Sequence, residues 1–75
     1  MRVKEDEMDI SARNQLRGKI TAIKLGTVMA EVCLQVAGQE VVAAVTRSSV
    51  ERLGLKVGDD AVAVIKATEV MIGKP

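Results

Sequence analysis

Val28-Met29-Ala30-Glu31-Val32-Cys33-Leu34-Gln35-Val36 is the stretch that decides the fold. Val28, Ala30, Val32, Leu34 and Val36 alternate with Met29, Glu31, Cys33 and Gln35. Successive side chains of an extended chain point to opposite faces, so a period of two predicts a strand with one face in the core. Ala37-Gly38-Gln39 follows as a turn in which Gly38 can take a positive φ, and Glu40 to Thr46 continues through Val41, Val42, Ala43, Ala44 and Val45. The two runs read as a hairpin.

Upstream, Asn14 to Lys24 sets Leu16, Ile20 and Ile23 among basic residues, a strand with an imperfect period. Downstream, Ser48-Ser49-Val50-Glu51 has the S-x-x-E spacing of a capping box, and Gly54 falls where a helix of one or two turns would stop, between Leu53 and Leu55. Val57-Gly58-Asp59-Asp60 reads as a turn, Ala61 to Lys66 as a strand alternating Val62 and Val64 with Ala61, Ala63 and Ile65, and Glu69 to Ile72 as a last short strand. The expected fold class is therefore all-β: a small five-stranded OB-like barrel with one short helical turn. Residues 1–9 are mostly charged and lack a buried period, so they read as a flexible N-terminal tail ahead of a single domain over residues 10–75. No internal repeat is present.

Composition limits what such a domain can do. The chain has 75 residues, room for one core. Hydrophobic residues make up 48%, yet Phe, Tyr and Trp are absent and Ala and Val supply 21 of the apolar positions, so the core is thin and subunit contacts are expected to supplement it. Lys and Arg number 11 against 10 Asp and Glu, a net charge of +1 that makes no global field for a polyanion. Single-strand binders of this size combine aromatic stacking platforms with a basic groove, and this chain offers neither, which argues against a nucleic-acid partner. With no His, the usual general acid or base near neutral pH is missing, and no pair of carboxylates reads as an acid/base couple, so a binding protein is favoured over an enzyme.

The single Cys33 permits neither an intrachain disulfide nor a cysteine-based zinc cluster and fits a reducing compartment. Met1 to Asp9 contains no apolar signal core, and the lightly charged run from Leu25 to Thr46 is broken by Glu31 and Glu40 and by Gly26 and Gly38, so no membrane association and a cytoplasmic location are expected. Cys33, Met29 and Met71 read as packing residues, and Glu31, Glu40 and Glu69 as solvated strand positions. No direct side-chain coordination of a metal is expected.

Two donor-rich clusters remain: Ser11-Ala12-Arg13-Asn14-Gln15 at the entry to the first strand, and Lys66-Ala67-Thr68 between the last two expected strands. Their hydroxyl, amide and cationic groups, with no carboxylate among them, suit an oxyanion. The same residues are also ordinary turn and surface types, and short polar clusters are weak motifs on their own.

Taken in order along the chain, the segments are more specific. Ile10-Ser11-Ala12-Arg13-Asn14-Gln15-Leu16 with Gly18-Lys19, Val28-Met29-Ala30-Glu31-Val32, Thr46 to Leu55 and Val64-Ile65-Lys66-Ala67-Thr68-Glu69-Val70-Met71-Ile72 together resemble the molbindins, or Mop domains, which bind molybdate or tungstate. The resemblance implies a barrel-like subunit that pairs into dimers, three of which form a homohexamer, with molybdate or tungstate as bound ligand at subunit interfaces and no organic cofactor. Carried over residue by residue, it implies a site of Ser11, Arg13 and the backbone of Ala12 from one subunit with Lys66 and Ala67 from another, and a lesser part for Asn14 and Thr68. Some family members carry Ser where this chain has Ala67, which leaves only a backbone N–H there. Intracellular molybdenum storage or homeostasis is the implied role. The alternative is a regulatory module akin to the anion-sensing domains of molybdate transporters and repressors.

Overall fold

The computed structural model describes residues 10–75. Four strands form one antiparallel sheet in the order β3-β2-β1-β4, where β1 is Asn14–Leu25, β2 Met29–Val36, β3 Gln39–Thr46 and β4 Asp60–Ile65. A single α-helix, α1 (Arg47–Leu53), joins β3 to β4, and a 3-10 turn, Ala67–Glu69, follows β4.

The long strand β1 belongs to two ladders. Its first half, Asn14 to Lys19, pairs with Ile65 to Asp60 of β4, and its second half, Lys19 to Leu25, pairs with Gln35 to Ala30 of β2. The register shifts between Ile20 and Ala22, a bulge of the kind that bends a strand and increases its twist. At the crossover the backbones close up: a methyl group on Gly18 would lie 2.5 Å from the carbonyl oxygen of Gln35 and 2.7 Å from Cγ2 of Val36. Only glycine fits that approach.

The alternation read in β2 places Ala30, Val32 and Leu34 in the core with Ile20 and Val50, while Cys33, on the opposite face, is half-buried. Desolvation, with help from the carboxylates of Glu40 and Glu31, pushes the Cys33 thiol above its ordinary pKa, against a smaller opposing influence of Lys24. Val28, expected as the first inward residue of the run, instead lies in the β1–β2 turn and is 68% exposed. That turn is fixed by Gly26 N–H donating to Met29 O at 2.7 Å and by Arg47 N–H donating to Val28 O at 2.8 Å. The β2–β3 connection is a two-residue turn with positive φ at both Ala37 (49°) and Gly38 (81°), the backbone whose twist matches a hairpin.

Two expectations are corrected. There are four strands among the described residues, not five, and the sheet is open, with β3 and β4 as its edges. The segment expected as the fifth strand, Glu69 to Ile72, begins inside the 3-10 turn, and Val70 has extended backbone but no ladder partner among the described residues. A strand needs a neighbour to complete its backbone hydrogen bonds, and Met71 and Ile72 are 92% and 90% exposed. The helix also starts differently from the capping box inferred at Ser48. Thr46 is the N-cap: its Oγ1 accepts from Ser49 N–H at 3.1 Å, and Glu51 pairs with Arg47 Nε at 3.2 Å. Gly54 ends the helix in the left-handed region as expected, with Gly54 N–H donating to Glu51 O and Leu55 N–H to Val50 O. The expected tail, residues 1–9, lies outside the described residues.

Candidate functional site

The antiparallel pairing of β1 with β4 ends at Asn14 opposite Ile65. Arg13 and Lys66 are therefore the residues immediately beyond the last rung, one flanking each strand, and a single backbone ladder brings two clusters distant in sequence to one place. An open cleft forms there. Ser11, Ala12 and Arg13 line it from the segment before β1, and Lys66, Ala67 and Thr68 line it from the turn after β4. Ile10 and Val64 complete it with apolar surface.

Of the residues singled out by sequence, the cleft thus gathers Ser11, Ala12, Arg13, Lys66, Ala67 and Thr68, while Asn14 is not among its lining residues. Asn14 is the first residue of the ladder, and an adjacent strand residue points to the other side of the sheet from its neighbour. Ile10 and Val64 were not singled out, although Val64 could have been found from the register, since it lies opposite Gln15 one rung inside the cleft. The resemblance to the molbindins implies that the Arg13 and Lys66 clusters meet across a subunit boundary. Here both line a cleft within one chain.

Electrostatically the cleft suits an anion. Among the described residues no carboxylate lines it, and neither Arg13 nor Lys66 takes part in an ion pair. The ion pairs found, Lys19 with Asp60 at 3.0 Å and Arg47 with Glu51 at 3.2 Å, lie elsewhere on the surface. Thr68 and Ala67 open a 3-10 turn whose own bonds run from Glu69 N–H to Lys66 O and from Val70 N–H to Ala67 O. The first N–H groups of any helical turn lack an acceptor within it, which adds backbone donors to the side-chain set.

A second hydroxyl-rich depression, bordered by Thr46, Arg47, Ser48 and Glu51 among others, differs in that its groups already serve one another. Thr46 Oγ1 contacts the hydroxyls of Ser49 and Ser48 at 2.7 and 3.2 Å, and Arg47 donates to Glu51 and to Gly26 O. It is the helix cap. No group of three or more Cys, Asp or Glu side chains is placed to hold a metal ion among the described residues. No helix among them is long and apolar enough to cross a membrane.

Residues 10–72 match the TOBE domain family model. The chain belongs to the TOBE-domain family. This TOBE domain is 53% identical over 66 residues to molybdenum-pterin-binding protein 3 of Clostridium pasteurianum, covering 87% of this chain and 97% of that protein. Its structure matches a molybdate-binding protein from Sporomusa ovata with a TM-score of 0.85 and 45% identity, covering 89% of this chain and all of the other. The cytoplasmic molybdate-binding protein ModG, solved with molybdate bound, gives a TM-score of 0.85 at 44% identity, and there the TOBE domain covers 96% of its own length but 52% of the neighbour. The likeness to the molbindins read from the ordered segments is borne out by these relatives. They are binding proteins, and their folds are OB-like.

Proposed function

We propose that this TOBE domain binds molybdate, and also tungstate, in the cleft between Ser11–Arg13 and Lys66–Thr68. The observation that carries the reading is the convergence of Arg13, Lys66, Ser11 and Thr68 on one cleft that no carboxylate of the described residues lines. A tetrahedral dianion accepts hydrogen bonds from every side and needs its charge matched; one guanidinium and one ammonium supply two positive charges, and the hydroxyls and turn N–H groups supply neutral donors. The names of the molybdenum-pterin-binding and molybdate-binding relatives support the same ligand.

The cleft is open, and its side chains are exposed except Ala12, so a second copy of the chain covering it would complete the cage. A homo-oligomer, a hexamer built as a trimer of dimers, supplies that cover and couples ligand binding to assembly. The domain acts by binding and release, not by catalysis, needs no organic cofactor, and serves as an intracellular store or buffer of the anion. The cytoplasmic setting of ModG supports that placement.

Isothermal titration of the pure protein with molybdate, tungstate, sulfate and phosphate tests the reading. Saturable heat with the first two and thermal stabilisation by them are expected. A folded protein that gives neither overturns it. Mixing Arg13→Ala with Lys66→Ala subunits and allowing exchange reports which chains supply the donors. With both residues in one chain's cleft no recovery is expected, whereas regained binding would place them on neighbouring chains.

A further inference from the structure

Gln15 stands beside the cleft without lining it. Its Nε2 donates to the backbone carbonyl of Ala12 at 2.8 Å, and Ala12 lies between Ser11 and Arg13. Among the described residues no backbone hydrogen bond outside the regular elements involves residues 10–13, and the β1–β4 ladder starts only at Asn14. Among the described residues, the hydrogen bond from Gln15 ties the donor-bearing segment to the strand that follows it. It also occupies a carbonyl oxygen. A free carbonyl on this segment would be an acceptor able to face an anion that itself only accepts, and such a pair repels.

We propose that Gln15 is a positioning residue for the anion site: by holding the Ala12 carbonyl it pre-orders Ser11–Arg13 and keeps an acceptor out of the cleft. The proposal rests on the anion-binding reading given above. The physical effect is that part of the ordering a ligand would otherwise impose is already present in the free protein, so less binding free energy is lost to it. Gln15 touches no ligand in this scheme. Sequence alone groups it with the neighbouring donors; only the geometry separates its part from that of Arg13.

The test compares wild type with Gln15→Met, which keeps the length and loses the donor, and Gln15→Glu, which keeps the shape and at neutral pH sets an acceptor against an acceptor. Molybdate titration, thermal unfolding without ligand, and amide relaxation of residues 11–13 are measured for each. The clasp is exposed, so the unfolding midpoint and the oligomeric state are expected to stay close to wild type. Molybdate affinity is expected to fall about 2- to 12-fold in Gln15→Met, the range of one neutral hydrogen bond, and further in Gln15→Glu. The loss should be entropic and accompanied by faster motion of residues 11–13 in the free protein, which a merely structural role would not single out. Wild-type affinity in Gln15→Met with unchanged order of residues 11–13 overturns the proposal. No binding by wild type itself overturns the anion reading first, and the role of Gln15 with it.

Discussion

Ala37 occupies a backbone conformation that an L-residue with a Cβ adopts at a cost. With φ at 49° it is the first central residue of a turn that favours Asn or Gly at that place, and Gly38 fills the second. Ala37→Asn is expected to raise stability by about 0.5 to 1 kcal/mol, read as a higher unfolding midpoint. The same scale governs the site. Arg13→Ala should weaken molybdate binding by roughly 10- to 150-fold and Ser11→Ala by roughly 2- to 12-fold, since a charged donor contributes about 1.5 to 3 kcal/mol and a neutral one about 0.5 to 1.5. Arg13→Lys should recover only part of the loss, because an ammonium does not reproduce a planar fork. Titration of the three variants against wild type checks the order. Ser11, Arg13 and Lys66 were legible as donors from residue type alone, but the strain at Ala37 and the clasp of Gln15 were not, because alanine carries no signal of φ and a glutamine's partner depends on how the chain folds.

Gly18 decides the shape of β1. Two ladders meet at Lys19, and the backbones approach at Gly18 so closely that a methyl group would lie 2.5 Å from Gln35 O. Because the nearer obstacle is backbone, relief requires the strands to part. Gly18→Ala is expected to cost about 1 to 3 kcal/mol, the range for overpacking, seen as a lower midpoint in denaturant. β2 was legible because a period of two survives in a strand with one buried face, and β3 because an apolar run follows the turn at Ala37-Gly38. Most of α1 was legible through Gly54, but its start was not: Thr46, Ser48 and Ser49 all carry a hydroxyl, and the one that caps is the one whose backbone is still extended as β3 ends, with φ −74° and ψ 148° at Thr46. The misread fifth strand has a related cause. Val70, Met71 and Ile72 have strand-forming composition, but a strand also needs a neighbour, and composition does not say whether the chain supplies one.

At the scale of the whole molecule the accounting is thin. Five side chains are buried among the described residues, all aliphatic and none aromatic, and no polar or charged residue is buried with them. Leu25, Val42, Leu53, Val57, Met71 and Ile72 are each at least half exposed, and no strand among the described residues pairs with the outer side of either edge strand. Edges and apolar surface of this kind are covered in stable proteins. The unfolding midpoint is therefore expected to rise with protein concentration, and sedimentation at micromolar concentration should show no major monomer. A concentration-independent midpoint with a monomeric species would contradict it.

The double use of β1 also sets an order of events in time. Its pairing with β2, and that of β2 with β3, closes short loops, whereas its pairing with β4 brings together chain ends separated by the whole hairpin and helix. Long loops close late and reopen early. The cleft sits at the far end of that late seam, beyond the rung of Asn14 and Ile65. An anion held by Arg13 just before β1 and Lys66 just after β4 would act as a fastener on the part of the sheet that frays first. Amide hydrogen exchange should then slow on adding molybdate at Leu16 and its neighbours in the first half of β1 and at β4, while β2 and β3 exchange as before.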